Sequence, residues 1–91
     1  MQDETGCTAS FAVRGDASPH LIGRVTGLIA QQGLVPLAVT MRRVGDEAHL
    51  HLVQDGLCLQ RAAILVEKMR SLVLVASVEL QYTNTIKGNL L

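Results

Sequence analysis

Apolar positions follow two rhythms along this chain, every second residue or every third to fourth, and the changes of rhythm outline its elements. From Cys7 to Arg14, the residues Cys7, Ala9, Phe11 and Val13 alternate with Thr8, Ser10, Ala12 and Arg14, as in a half-buried strand. Gly15-Asp16-Ala17 reads as the turn after it. Ser18 then offers a capping hydroxyl and Pro19 the fixed φ of a first helical position. Leu21, Ile22, Val25, Leu28 and Ile29 fall within about 120° on a helical wheel, one apolar face. Gly33 stands where a left-handed residue closes a helix. Gly23 and Gly27 each weaken that helix by about 1 kcal/mol relative to Ala, so packing on a sheet must compensate.

Leu37, Val39 and Met41 alternate with Ala38, Thr40 and Arg42 as a second strand, and Pro36 at its start suits a sheet edge. Gly45-Asp46-Glu47 marks a hairpin turn before a third strand, Ala48 to Val53. Asp55-Gly56 opens a second helix with Cys58, Ala62, Leu65, Val66 and Met69 on its buried stripe. Leu57 and Ile64 fall off that stripe and are candidate partner contacts. Leu72 to Tyr82, with Val73, Leu74, Val75, Val78 and Leu80, reads as a fourth strand.

The order βαββαβ predicts an α+β, ferredoxin-like fold: a four-stranded antiparallel sheet with two helices on one face. Right-handed crossovers put the first and third strands in the centre and the second and fourth at the edges. The other face is left open, bearing Thr8, Ser10, Ala12, Thr40, His49, His51, Ser77 and Glu79. Residues 7–82 are read as the domain, with residues 1–6 and 83–91 as flexible ends.

Composition narrows the function. The 91 residues suit one domain, and 48% are hydrophobic, with Phe11 and Tyr82 the only aromatic residues, so the core is aliphatic. A chain of this mass buries only about 64% of its unfolded surface, which leaves room for stabilisation by a second copy or a partner. Eight Lys+Arg balance eight Asp+Glu without a basic cluster, which disfavours nucleic acid and anionic membranes as partners. No apolar run reaches the ~18–20 residues of a membrane span, and Met1-Gln2-Asp3-Glu4 is acidic, so a cytoplasmic location is expected. Cys7 and Cys58 form no CxxC and are expected to be reduced and buried.

Catalytic chemistry finds little support. Cys58 with a histidine is the best nucleophile–base candidate, but its place on the buried helix stripe implies an inert thiol. His49 and His51 point the same way on a strand and, with Glu79, are conceivable metal ligands. Their plainer reading is two histidines on a solvated or dimer-covered sheet face, and no metal is predicted. An RNA-binding domain of this topology would carry aromatic platforms where Ser10, His49 and His51 stand. His20, in the first turn of the first helix, faces a position favourable to anions, or is simply exposed.

The stretch from Ser18 to Leu34, followed by the strand Leu37–Arg43, resembles the opening βαβ of an ACT domain. It is most similar to the small regulatory subunit of acetolactate synthase, in the short isozyme II type, on Ile22, Arg24, Val25, Leu28 and Gly33. The resemblance implies a regulatory subunit without its own active site or cofactor. Such a subunit activates a thiamine-diphosphate-dependent large subunit in branched-chain amino acid biosynthesis. It also implies a homodimer through strand two, with Leu37, Val39 and Met41 at the dimer edge. The family's effector site maps onto Asp16, Ala17, Ser18, Pro19, His20, Leu34 and Val35. Pro19 matches its pattern, whereas His20 replaces a glycine, Ala17 an acidic residue and Val35 an asparagine. The implied site is degenerate, with weak or no valine inhibition and at most residual binding of a branched-chain amino acid. The alternative is a free-standing ACT-domain sensor of amino acids.

Overall fold

The computed structural model describes residues 7–84. Its elements are β1 (Cys7–Asp16), α1 (Leu21–Gln31), β2 (Ala38–Val44), β3 (Glu47–Asp55), α2 (Leu59–Arg70) and β4 (Val75–Asn84). The strands lie in the order β2-β3-β1-β4, every pair antiparallel, which is the expected ferredoxin-like arrangement. The period-two runs set the register. Phe11 faces Leu52 on one side and Leu80 on the other, and Val13 faces Leu50 and Val78. Apart from the partly buried Leu80, which packs against them, those side chains form one buried core with Leu21, Val25 and Ile29 of α1 and Ala62, Leu65, Val66 and Met69 of α2. Each large aliphatic side chain buried this way is worth about 1.5–3 kcal/mol relative to exposure.

Helix α1 ends as its glycine predicts. Gly33 has φ +75°, its N–H donates to Ala30 O at 2.9 Å, and the Leu34 N–H donates to Ile29 O at 3.4 Å. That paired closure satisfies carbonyls the last turn leaves open and folds Leu34 back onto the core. The β2–β3 hairpin turns on two residues, with Gly45 at φ +62°, the left-handed geometry that tight hairpins require.

Several boundaries differ from the sequence expectation. Gly15 and Asp16 belong to β1 rather than to a turn, because pairing with β3 runs on to Asp16 opposite Glu47, and pairing with β4 reaches Gly15 past a register shift after Arg14. Helix α1 starts at Leu21 with His20 as N-cap, not at Pro19. Ser18 organises the preceding turn, accepting the His20 N–H on its Oγ at 3.1 Å. Glu47 belongs to β3, not to the hairpin turn. Strand β4 begins at Val75, and Val73, expected within it, is 94% exposed. The run is apolar enough for a strand, but residues 71–74 are used in turning from α2.

Helix α2 begins later than expected, which displaces two predictions. Leu57 is fully buried in the loop before the helix, so it is core and not a partner contact. Its carbonyl accepts the Tyr82 hydroxyl at 2.9 Å. Cys58 is the half-buried N-cap of α2, not a stripe residue facing the sheet. Cys7 is buried, and both thiols are free. Ile64, 54% exposed, lies off the stripe as expected. Thr83 and Asn84, assigned to a loose end, extend β4, while residues 1–6 and 85–91 lie outside the described residues.

Candidate functional site

The β1–α1 loop is anchored on two sides and closed by a bond of its own before it reaches the helix. Asp16 N–H donates to Leu74 O at 2.9 Å, Ala17 N–H to Asp46 O at 3.0 Å and Ser18 N–H to Asp16 O at 2.7 Å. The loop is thus tied to the approach to β4 and to the β2–β3 hairpin. Between it and β2 lies a cavity of about 260 Å³ lined by Ala17, Ser18, Pro19, Met41 and Arg43. Its walls are mostly apolar. The Arg43 guanidinium and the Ser18 hydroxyl are its polar groups, and Arg43 has no ion-pair partner among the described residues. Such a cavity fits a small molecule with a carboxylate toward Arg43 and an aliphatic part against Met41 and Pro19.

The residues assigned to the effector site by resemblance divide into groups. Ala17, Ser18 and Pro19 line the cavity. Asp16, the register partner of Glu47, falls on the helix-free side of the sheet instead. His20 is exposed at the N-cap and does not line the cavity, so its imidazole leaves the space open. Leu34 and Val35 lie beyond the far end of α1, whose 11 residues span about 16 Å. Leu34 is half-buried, and Val35 is 82% exposed.

Arg43 and Gln54 escaped the sequence reading. Arg43 continues the phase of Leu37, Val39 and Met41, and one more step of that alternation would have found it. Gln54 holds the last apolar-phase position of β3 and is 1% exposed. Its Nε2 donates to Val35 O and to Asp55 O, each at 3.1 Å, anchoring the start of β2, while its Oε1 is buried without a partner. Of the predicted dimer edge, Leu37 and Met41 are 61% and 40% exposed, and Val39 is partly covered.

On the helix-free face, Arg14 and His49 converge on Glu47. Arg14 Nη2 donates to Glu47 Oε1 at 3.0 Å, and His49 Nε2 lies 3.1 Å from the same oxygen. The hydrogen bond from Arg14, then that from His49, holds the Glu47 carboxyl below its usual range. Among the described residues no three His, Cys, Asp or Glu side chains gather to hold a metal ion.

Fold and cavity together define a class: a small ferredoxin-like domain with a ligand-sized space beside an edge strand. The chain matches the ACT-like domain family over residues 2–87 and belongs to it. No curated protein sequence matches it. Among solved structures it is similar to the ACT domain from GTP pyrophosphokinase of Chlorobium tepidum, with TM-score 0.71 and 16% identity over 81% of this chain and 96% of that one. The C-terminal domain of the MgtC protein from Mycobacterium tuberculosis gives TM-score 0.67 and 19% identity, covering 92% of this chain and 95% of that one. The ligand-free regulatory subunit of aspartate kinase from Thermus thermophilus gives TM-score 0.65 and 15% identity, covering 88% of this chain and 57% of that one. At these identities the likeness is one of fold.

Proposed function

We propose that this ACT-like domain is a non-catalytic regulatory subunit that pairs with a second copy through β2 and activates the large subunit of an acetolactate synthase. The observation that carries the dimeric reading is a cavity built against an uncovered edge strand. Of the seven residues of β2, only Val39 is not exposed. Antiparallel pairing of two such edges about a twofold axis brings the Arg43 end of one strand beside the Leu37 end of the other. Val35 of one copy then approaches the cavity of its mate, which supports joining the two separated halves of the effector site across the interface. An open edge is otherwise a liability for a soluble sheet, so a twin strand is a natural cover.

The acetolactate synthase reading rests on the α1 sequence, Ile22, Arg24, Val25, Leu28 and Gly33. Thiamine diphosphate belongs to the large subunit, and this chain brings no cofactor. The cavity supports weak or absent valine inhibition: Arg43 suits a carboxylate, but neither Ala17 nor Val35 has a side chain to receive an ammonium. Burying that charge unpaired costs several kcal/mol. The domain acts in the cytoplasm; no described helix is long and apolar enough to cross a membrane. Residues 7–82 are proposed as the working unit.

A second reading, a free-standing amino-acid sensor, is favoured by the same cavity, whose aliphatic wall and Arg43 suit the side chain and the carboxylate of a branched-chain amino acid. Co-purification from source cells, followed by an acetolactate-formation assay with and without the chain, separates the two. Stimulation of a co-purifying synthase supports the regulatory subunit. No stimulation, with micromolar binding of valine, leucine or isoleucine by calorimetry, establishes the sensor.

A further inference from the structure

The face of the sheet that the helices leave uncovered holds a second concavity, about 360 Å³, lined by Ala12, Arg14, Thr40, Arg42, His49 and His51. Its shape follows from register. Arg14, His49 and Arg42 stand in one row across β1, β3 and β2, and Ala12, His51 and Thr40 stand in the next. The short Ala12 side chain forms a floor between longer neighbours. We propose that this concavity binds a small-molecule oxyanion, a carboxylate or phosphate group, held chiefly by Arg42.

Charge pairing singles out Arg42. The Glu47 carboxylate on the same face is engaged on one oxygen by both Arg14 and His49. Arg42 has no ion pair or side-chain hydrogen bond among the described residues, and it is exposed beside the cavity. Its planar guanidinium can grip an oxyanion through two parallel N–H bonds. The Thr40 hydroxyl and an N–H of the His51 ring add donors from the neighbouring row. Glu79, opposite Ala12 on β4, borders the floor on the far side and confines an anion to the β2 side. A metal ion is the poorer fit, because His49 stands between two guanidiniums and is already engaged with the carboxylate of Glu47. This site is distinct from the loop cavity. Met41 and Arg43 line that one, while the intervening Thr40 and Arg42 serve the opposite face of the same strand.

The test is an amide-resolved NMR titration of the full chain with inorganic phosphate and, separately, malonate, with chloride holding ionic strength constant. Saturable shifts centred on Ala12, Thr40 and His51 are expected with at least one probe, and the probe that saturates identifies the oxyanion class. Arg42→Gln should weaken binding about tenfold or more, since a hydrogen bond to a charged group is lost. Ala12→Glu, which puts a carboxylate on the floor, should abolish it, whereas Arg24→Gln on α1 should leave it unchanged. The same spectra report whether each variant is folded. Shifts reproduced by chloride alone, no saturation with either probe, or undiminished binding by folded Arg42→Gln or Ala12→Glu would overturn the proposal.

Discussion

Gly15 and Leu74 meet so closely that a Cβ on Gly15 would overlap the Leu74 carbonyl oxygen. The same oxygen accepts the Asp16 N–H at 2.9 Å, so this contact seats the start of the β1–α1 loop against the approach to β4. Backbone meets backbone here, and no side chain can swing away. Gly15→Ala should therefore destabilise the domain by about 1–3 kcal/mol, as overpacking does, and also loosen the loop that lines the cavity. Urea unfolding measures the first effect, and amide exchange at Ala17 and Ser18 the second. Wild-type stability in the variant would contradict the contact.

Gln54 gives a different kind of prediction, because its amide nitrogen is satisfied and its oxygen is not. Gln54→Leu loses the ties to Val35 and Asp55 but keeps the volume and removes the orphaned oxygen. Gln54→Ala loses the ties and opens a void. Leu should cost about 1 kcal/mol or less and Ala about 2 kcal/mol or more. Equal urea midpoints for the two variants would argue against this account.

Glu47 makes acid sensitivity predictable in sign. Its carboxyl is held below the ordinary value of 4.5, first by the Arg14 hydrogen bond and then by that of His49. A depressed folded-state value means the contribution is present above about pH 4.5 and fades as pH falls through the folded-state value. The stability gap between wild type and Glu47→Gln should be fully developed above about pH 4.5 and shrink as pH falls below it. A gap that widens in acid would reverse the assignment.

The β2 edge can be tested with little effect on the single chain. Leu37 is 61% exposed there, so Leu37→Lys should change the stability of a monomer by only about 0.5 kcal/mol. At a β2–β2 seam it adds a lysine from each copy. Sedimentation should show a wild-type dimer and a variant shifted toward monomer. A variant that remains dimeric would locate the interface elsewhere.

Arg43 is the cavity's charged group, and its removal should affect ligand binding before stability. Arg43→Gln should weaken any branched-chain amino acid bound there about tenfold, the worth of one charge-assisted hydrogen bond. Calorimetry on both proteins decides it, and an unchanged isotherm would place the ligand outside this cavity.

The architecture was legible in the chain because it rests on local periods. Alternation at Cys7–Val13 and Ala48–Val53 sets the two central strands, and the apolar face of Leu21, Val25 and Ile29 sets α1. Gly33 and Gly45 punctuate at positive φ, as residues without a Cβ do best. Boundaries were less legible. The apolar run at Val73 and Leu74 carries no mark showing that a turn would use it, and Leu57 joins the core from a loop whose path, tied to the Tyr82 hydroxyl at its carbonyl, is set by tertiary contacts.

Sequence alone determined the βαββαβ order, the aliphatic core and the strands left at the edges, since each follows from side-chain period and the handedness of L-residues. Only the tertiary structure decided which residues share a site. Arg43 lines one cavity with Ser18, and Arg14 pairs with Glu47, across strands and loops distant in the chain, while Val35 is carried away from Ser18 by the length of α1. Sheet register and helix length bring such groups together or separate them, and neither is written in the spacing of those residues themselves.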